Sequence, residues 1–166
     1  NLKGEAGVYA LDGKTGEQIW KYPVRNSIKN TIVIDNGRVL AQDAQGCLYA
    51  IDAETGKLSW EKQLSVNGLP ALIEGLVASD GVVYAGTGKG LCAIDTKDGR
   101  VIWQNKGWGQ GEGTTTTFSV SKNHLIGSSQ WNALYGNDLK TGELKWKSDT
   151  NGLRNRGASA AVHGGL

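Results

Sequence analysis

Apolar and polar residues alternate along most of the chain in short runs, and the runs are broken by Gly, Asn and Asp. In one run Leu48 and Ala50 fall on one side while Tyr49 and Ile51 fall on the other. Alternation over four to eight residues between turn signals marks β-strands, not helices. The same pattern predicts strands at 31–34 and 38–41 around the turn Asp35-Asn36-Gly37, and at 75–78 and 82–85 around Asp80-Gly81. It predicts a further pair at 115–120 and 124–127 around Lys122-Asn123. The Thr114–Thr117 run belongs to a strand on its high β propensity.

The alternation is itself repeated. Four segments, 8–20, 48–60, 91–103 and 134–146, align without gaps around Asp12, Asp52, Asp95 and Asp138. The aspartates are 40, 43 and 43 residues apart, and each is followed eight residues later by a tryptophan: Trp20, Trp60, Trp103 and Trp146. Each segment reads as a hairpin. The aspartate carboxylate can accept backbone N–H groups across the turn. Gly16, Gly56, Gly99 and Gly142 supply a left-handed residue. Thr15, Thr55 and Thr141 can add a hydroxyl bond, and Asp98 stands in their place in the third copy. The second strand then leads to the tryptophan, whose large flat ring suits packing between sheets.

With the two strands before each hairpin, one repeat is four antiparallel strands, A to D, in about 40 residues, the period of a β-propeller blade. Residues 1–24 supply strands C and D of one blade. Residues 25–64, 65–107 and 108–150 make full blades, and 151–166 open another. The expectation is an all-β, incomplete arc of about four blades, completed by missing blades or by a second copy. Two apolar blade faces would otherwise stand open.

Composition agrees. Gly is 25 of 166 residues and Pro only 2, which fits tight turns between many strands. Eighteen Lys and Arg against 16 Asp and Glu leave a net charge of +2, too little to argue for nucleic acid or an anionic membrane. No long apolar run is present, so membrane insertion is not expected. Residue 1 is Asn and the chain holds no Met, so it does not read as an unprocessed start; no signal peptide is visible.

The motif Y-A-[L/I]-D-x-x-T-G-x-x-x-W resembles the tryptophan-docking repeat of the quinoprotein-type, or PQQ-like, β-propellers. The kelch period and the Gly-His and Trp-Asp marks of WD40 blades are absent. The resemblance covers essentially the whole chain. It implies that Asp12, Gly16, Trp20, Asp52, Gly56, Trp60, Asp95, Gly99, Trp103, Asp138, Gly142 and Trp146 are structural, each tryptophan packing on a neighbouring blade. It also implies a bacterial periplasmic or extracellular protein. Some members are quinone- and calcium-dependent dehydrogenases; others are cofactor-free scaffolds.

The dehydrogenases need a cage of hard oxygen ligands, an aspartate base and, for alcohols, adjacent cysteines. Cys47 and Cys92 lie in successive C strands and read as two buried thiols. No oxygen-ligand set lies close in sequence. His124 and His163 have no partner at metal spacing. Lys29 and Glu74, at equivalent A-strand positions, read as a structural ion pair. The expectation is therefore a non-catalytic module without a cofactor; a fragment of a PQQ- and calcium-dependent dehydrogenase is the alternative.

Strand direction places the D-to-A and B-to-C connections on one face, and these are the longer, less regular ones. Arg25, Trp108, Glu112, Trp131, Arg154 and Arg156 fall there. Tryptophan with arginine is the composition of interface hot spots and of sugar-stacking surfaces. That face is the expected contact for a protein or carbohydrate partner.

Overall fold

The computed structural model describes residues 6–29, 31–64, 75–86, 90–105, 118–128, 133–149 and 161–162. Fourteen strands form four antiparallel sheets. β1 (Gly7–Leu11) and β2 (Gln18–Pro23) make a two-stranded sheet. The second sheet runs β3 (Val33–Asp35), β4 (Arg38–Gln42), β5 (Cys47–Asp52) and β6 (Leu58–Gln63) in chain order. The third holds β7 (Leu76–Ser79), β8 (Val82–Gly86), β9 (Leu91–Asp95) and β10 (Val101–Gln104). The fourth holds β11 (Ser119–Val120), β12 (His124–Ser128), β13 (Ala133–Asp138) and β14 (Leu144–Asp149). The innermost strands adjoin in sequence, β3 against β7 and β7 against β11. The sheets thus fan out from their first strands.

Where they are described, the inner strands start later than the alternation predicts. β3 starts at Val33 instead of residue 31, and β11 covers only 119–120, with 114–117 outside the described residues. The turns follow their chemistry. Asn36 and Gly37 at φ 46° and 71°, and Asp80 and Gly81 at φ 53° and 80°, give two-residue turns whose twist matches the flanking strands.

Each hairpin of the repeat closes in the same way. The Asp12 Oδ1 accepts from the N–H of Lys14 and Thr15 at 2.9 and 2.8 Å, and the N–H of Gly16 donates to the Asp12 carbonyl at 2.8 Å. The Thr15 hydroxyl accepts from the N–H of Glu17, and in the third copy the Asp98 carboxylate accepts from that of Arg100. These bonds hold the carboxyls of Asp12 and Asp138 below the ordinary 3.8, chiefly through the N–H of Thr15 and Thr141; for Asp52 the Thr55 hydroxyl acts most. A carboxyl lowered by folding stabilises fully above its unfolded value, and that contribution is lost as pH falls through its folded value. Stability should therefore hold from neutrality down to about pH 4 and decline below it. Urea midpoints at pH 6 and pH 3 check this; an unchanged midpoint at pH 3 contradicts it.

Three apolar clusters sit between neighbouring sheets, and β5 shows how one strand serves two of them. Cys47, Tyr49 and Ile51 pack with Val8 and Trp20 of the sheet before. Leu48 and Ala50 pack with Cys92 and Ile94 of the sheet after. Leu91 and Ala93, on the other side of β9, join Tyr135 and Leu125 of the fourth sheet. The period of two in the sequence is thus an alternation between two cores, not between core and water.

Candidate functional site

A bulge aims each repeated tryptophan. Ile51 pairs with Leu58 but Ala50 pairs with Trp60, so Ser59 is extra. Ile19, Ile102 and Lys145 are the extra residues in the other three hairpins. Directly opposed residues share a face, so the bulge puts Trp60 on the side of Ala50, toward the next sheet. Without it Trp60 would oppose Tyr49 and face backwards.

The rings land on glycine. A Cβ on Gly56 would stand 2.7 Å from Trp20 Cγ, and one on Gly99 would stand 2.9 Å from Trp60 Cδ2. Gly142 lies likewise under Trp103. Each indole Nε1–H donates to the carbonyl one residue after the motif aspartate of that next sheet: Trp20 to Ala53, Trp60 to Thr96 and Trp103 to Leu139, all at 3.0 Å. The glycines therefore serve two ends, a left-handed φ near 70° and room for a ring. Further bonds cross between sheets. The Thr96 hydroxyl donates to Asp35 at 2.9 Å, and the buried Gln42 amide donates to the Gly86 carbonyl at 2.9 Å.

On the face of the D-to-A and B-to-C connections, Arg25 lies just after β2. Its N–H donates to the Tyr49 hydroxyl at 3.3 Å, and its guanidinium pairs with Glu61 of the next sheet. The Tyr49 O–H donates to Asp43 Oδ2 at 3.1 Å, where the Asn26 amide also reaches at 3.5 Å. Asp43 Oδ1 accepts from the N–H of Gln45 and Cys47 at 2.9 and 3.0 Å. Asp43, wholly buried, thereby ties the β4–β5 connection to the first sheet's outgoing loop. Burial pushes the Tyr49 hydroxyl up, so it stays a proton donor. Tyr49→Phe removes that donor and the acceptor of the Arg25 N–H, and should cost about 1–3 kcal/mol in a urea titration. A loss within error would show that the bonds contribute nothing.

Trp108, Glu112, Trp131, Arg154, Arg156, Glu74 and His163 lie outside the described residues. Lys29 is exposed and His124 opens β12. Sequence reasoning missed the bulge and the Asp43–Tyr49 pair, because Asp43 sits in a polar loop that reads as solvated.

Cys47 and Cys92 are buried free thiols in separate clusters on successive sheets. Burial pushes Cys92 up to about 12. The carboxylates of Asp12, Asp52, Asp95 and Asp138 face their own turns. Among the described residues no three His, Cys, Asp or Glu side chains gather closely enough to hold a metal ion. The described residues therefore do not supply the oxygen-ligand set of a quinone–calcium centre. Among the described residues no helix is long and apolar enough to cross a membrane, a statement that leaves β-barrels aside.

Four-stranded antiparallel sheets fanned around their inner strands define a β-propeller of the PQQ-like repeat type. Residues 2–117 match the family model described as outer membrane protein assembly factor BamB, and the chain belongs to that family. It is 32% identical over 156 residues to outer membrane protein assembly factor BamB of Yersinia pestis, across 87% of this chain and 39% of that protein. It is 26% identical over 117 residues to quinohemoprotein alcohol dehydrogenase ADH-IIG of Pseudomonas putida, across 58% of this chain and 16% of that enzyme. The crystal structure of BamB from Moraxella catarrhalis superposes with a TM-score of 0.72 at 24% identity, over 87% of this chain and 44% of that one. The chain spans less than half the length of each of these relatives.

Proposed function

We propose that the chain is a non-catalytic binding or scaffold module of a PQQ-like β-propeller protein, engaging a protein or glycan through one propeller face. The observation that carries this is the use of the repeated aspartates. Each accepts backbone N–H bonds of its own turn, which leaves them as fold-makers rather than bases or ligands. The proposed contact face is the one bearing Arg25, where the order of strands in the sequence also leads us to expect Trp108, Glu112, Trp131, Arg154 and Arg156. The match to an outer membrane assembly factor supports a protein partner and a periplasmic or extracellular setting. Likeness to a quinohemoprotein alcohol dehydrogenase keeps a second reading, a dehydrogenase fragment that draws its ligands from outside the described residues.

Calorimetric titration with Ca²⁺ and PQQ separates the two. No stoichiometric binding is expected, and a tight 1:1 complex would overturn the module reading. Binding to purified outer-membrane assembly components and to a glycan array then tests the partner. Trp108→Ala and Trp131→Ala should weaken a genuine contact at least about tenfold. Binding unchanged in both variants would remove that face from the proposal.

A further inference from the structure

We propose that Asp43 is a positioning residue for partner contact: it locks two loops of neighbouring sheets into one ledge that presents Arg25. The inference rests on the module reading above, because the ledge lies on the face proposed for the partner. One carboxylate serves both loops. Its Oδ1 accepts from the N–H of Gln45 and Cys47 at 2.9 and 3.0 Å and so shapes its own connection, β4 to β5. Its Oδ2 accepts from the Tyr49 hydroxyl at 3.1 Å and from the Asn26 amide at 3.5 Å, and so reaches the loop that leaves β2.

The two loops are stitched along their length. The N–H of Arg25 donates to the Tyr49 hydroxyl at 3.3 Å, and that of Ala44 donates to the Ser27 carbonyl at 2.8 Å. Ile28 and Asp43 pair as an isolated antiparallel bridge. On the far side the N–H of Leu64 donates to the Gly46 carbonyl at 2.9 Å. Asp43 and Tyr49 are buried and cannot touch a partner, whereas Arg25, Ser27 and Gln45 are exposed. Arg25 is held at both ends, by its N–H on Tyr49 and by its guanidinium on Glu61. A loop fixed before contact spares the ordering cost that binding otherwise meets.

Place in the repeat separates this acid from the fold-making aspartates. β4, β8 and β12 are five residues each, and the residues that follow them are Asp43, Thr87 and Ser129. Cys92 stands in the third sheet where Tyr49 stands in the second. The third sheet forms all four strands without the Asp–Tyr pair, so the pair answers to something other than the four-strand fold.

Asp43→Asn tests this. It keeps an oxygen for the Gln45 and Cys47 N–H groups and sets an amide NH₂ against the Tyr49 and Asn26 donors. Amide hydrogen exchange of the 166-residue chain, read residue by residue, should quicken at least about tenfold at Arg25 and Ala44 and stay unchanged at Gln45 and Cys47. Unchanged exchange at Arg25 and Ala44 overturns the proposal. Equal acceleration throughout β5 and β6 also overturns it, since that marks a general loss of stability. Titration with purified outer-membrane assembly components reads the contact itself. Arg25→Ala and Asp43→Asn should each raise the dissociation constant at least about tenfold. Binding indifferent to Asp43→Asn overturns this proposal and leaves the module reading standing. A native chain that captures no component overturns both.

Discussion

Gly56→Ala is expected to destabilise the chain by about 1–3 kcal/mol more than Gly16→Ala, although both glycines hold nearly the same backbone angles, φ 69° and 74°. Either alanine pays for a left-handed residue, about 1–2 kcal/mol. Only at position 56 does the new methyl also meet a ring, 2.7 Å from Trp20 Cγ; at 16 it meets nothing within 4 Å. The difference between the two urea midpoints therefore isolates the inter-sheet contact from the turn. Equal losses would mean that the indole can shift freely and that the glycine serves the turn alone.

Trp103→Ala should have the largest effect of any single truncation in the repeats, about 3–5 kcal/mol. Its ring is 9% exposed, lies over Gly142, and packs 6.0 Å from the Tyr84 ring centroid. Its Nε1–H is bonded to the Leu139 carbonyl at 3.0 Å. Trp103→Phe keeps most of the apolar area but strands that carbonyl, so it should recover part of the loss. Trp146→Ala, whose ring is 38% exposed, should cost about 1 kcal/mol or less. A loss at 146 matching that at 103 would mean that burial between sheets does not set the cost.

The hairpins were legible because their chemistry is local. Asp12, Thr15 and Gly16 satisfy one another within five residues, and the pattern repeats four times. The four-strand period and the all-β class followed from alternation, turn residues and the spacing of the repeated aspartates. The bulges at Ile19, Ser59, Ile102 and Lys145 were not legible, since the inserted residues share no side-chain chemistry. The Asp43–Tyr49–Arg25 connection joins two sheets through a loop whose polar letters suggest solvent. Of the residues expected on the contact face, Arg25 is described, and it is engaged with Glu61 and Tyr49.

The extra residue in each hairpin has a bearing on how such repeats can drift in length. Parity along a strand decides which neighbour receives each side chain, so one further residue between Leu58 and Trp60, taken into the ladder, would set the ring opposite Tyr49, turn it backward and empty the seat over Gly99. That parity excludes single insertions there, while the outgoing loops are free to grow. The distance from aspartate to tryptophan therefore stays at eight while the full period moves from 40 to 43.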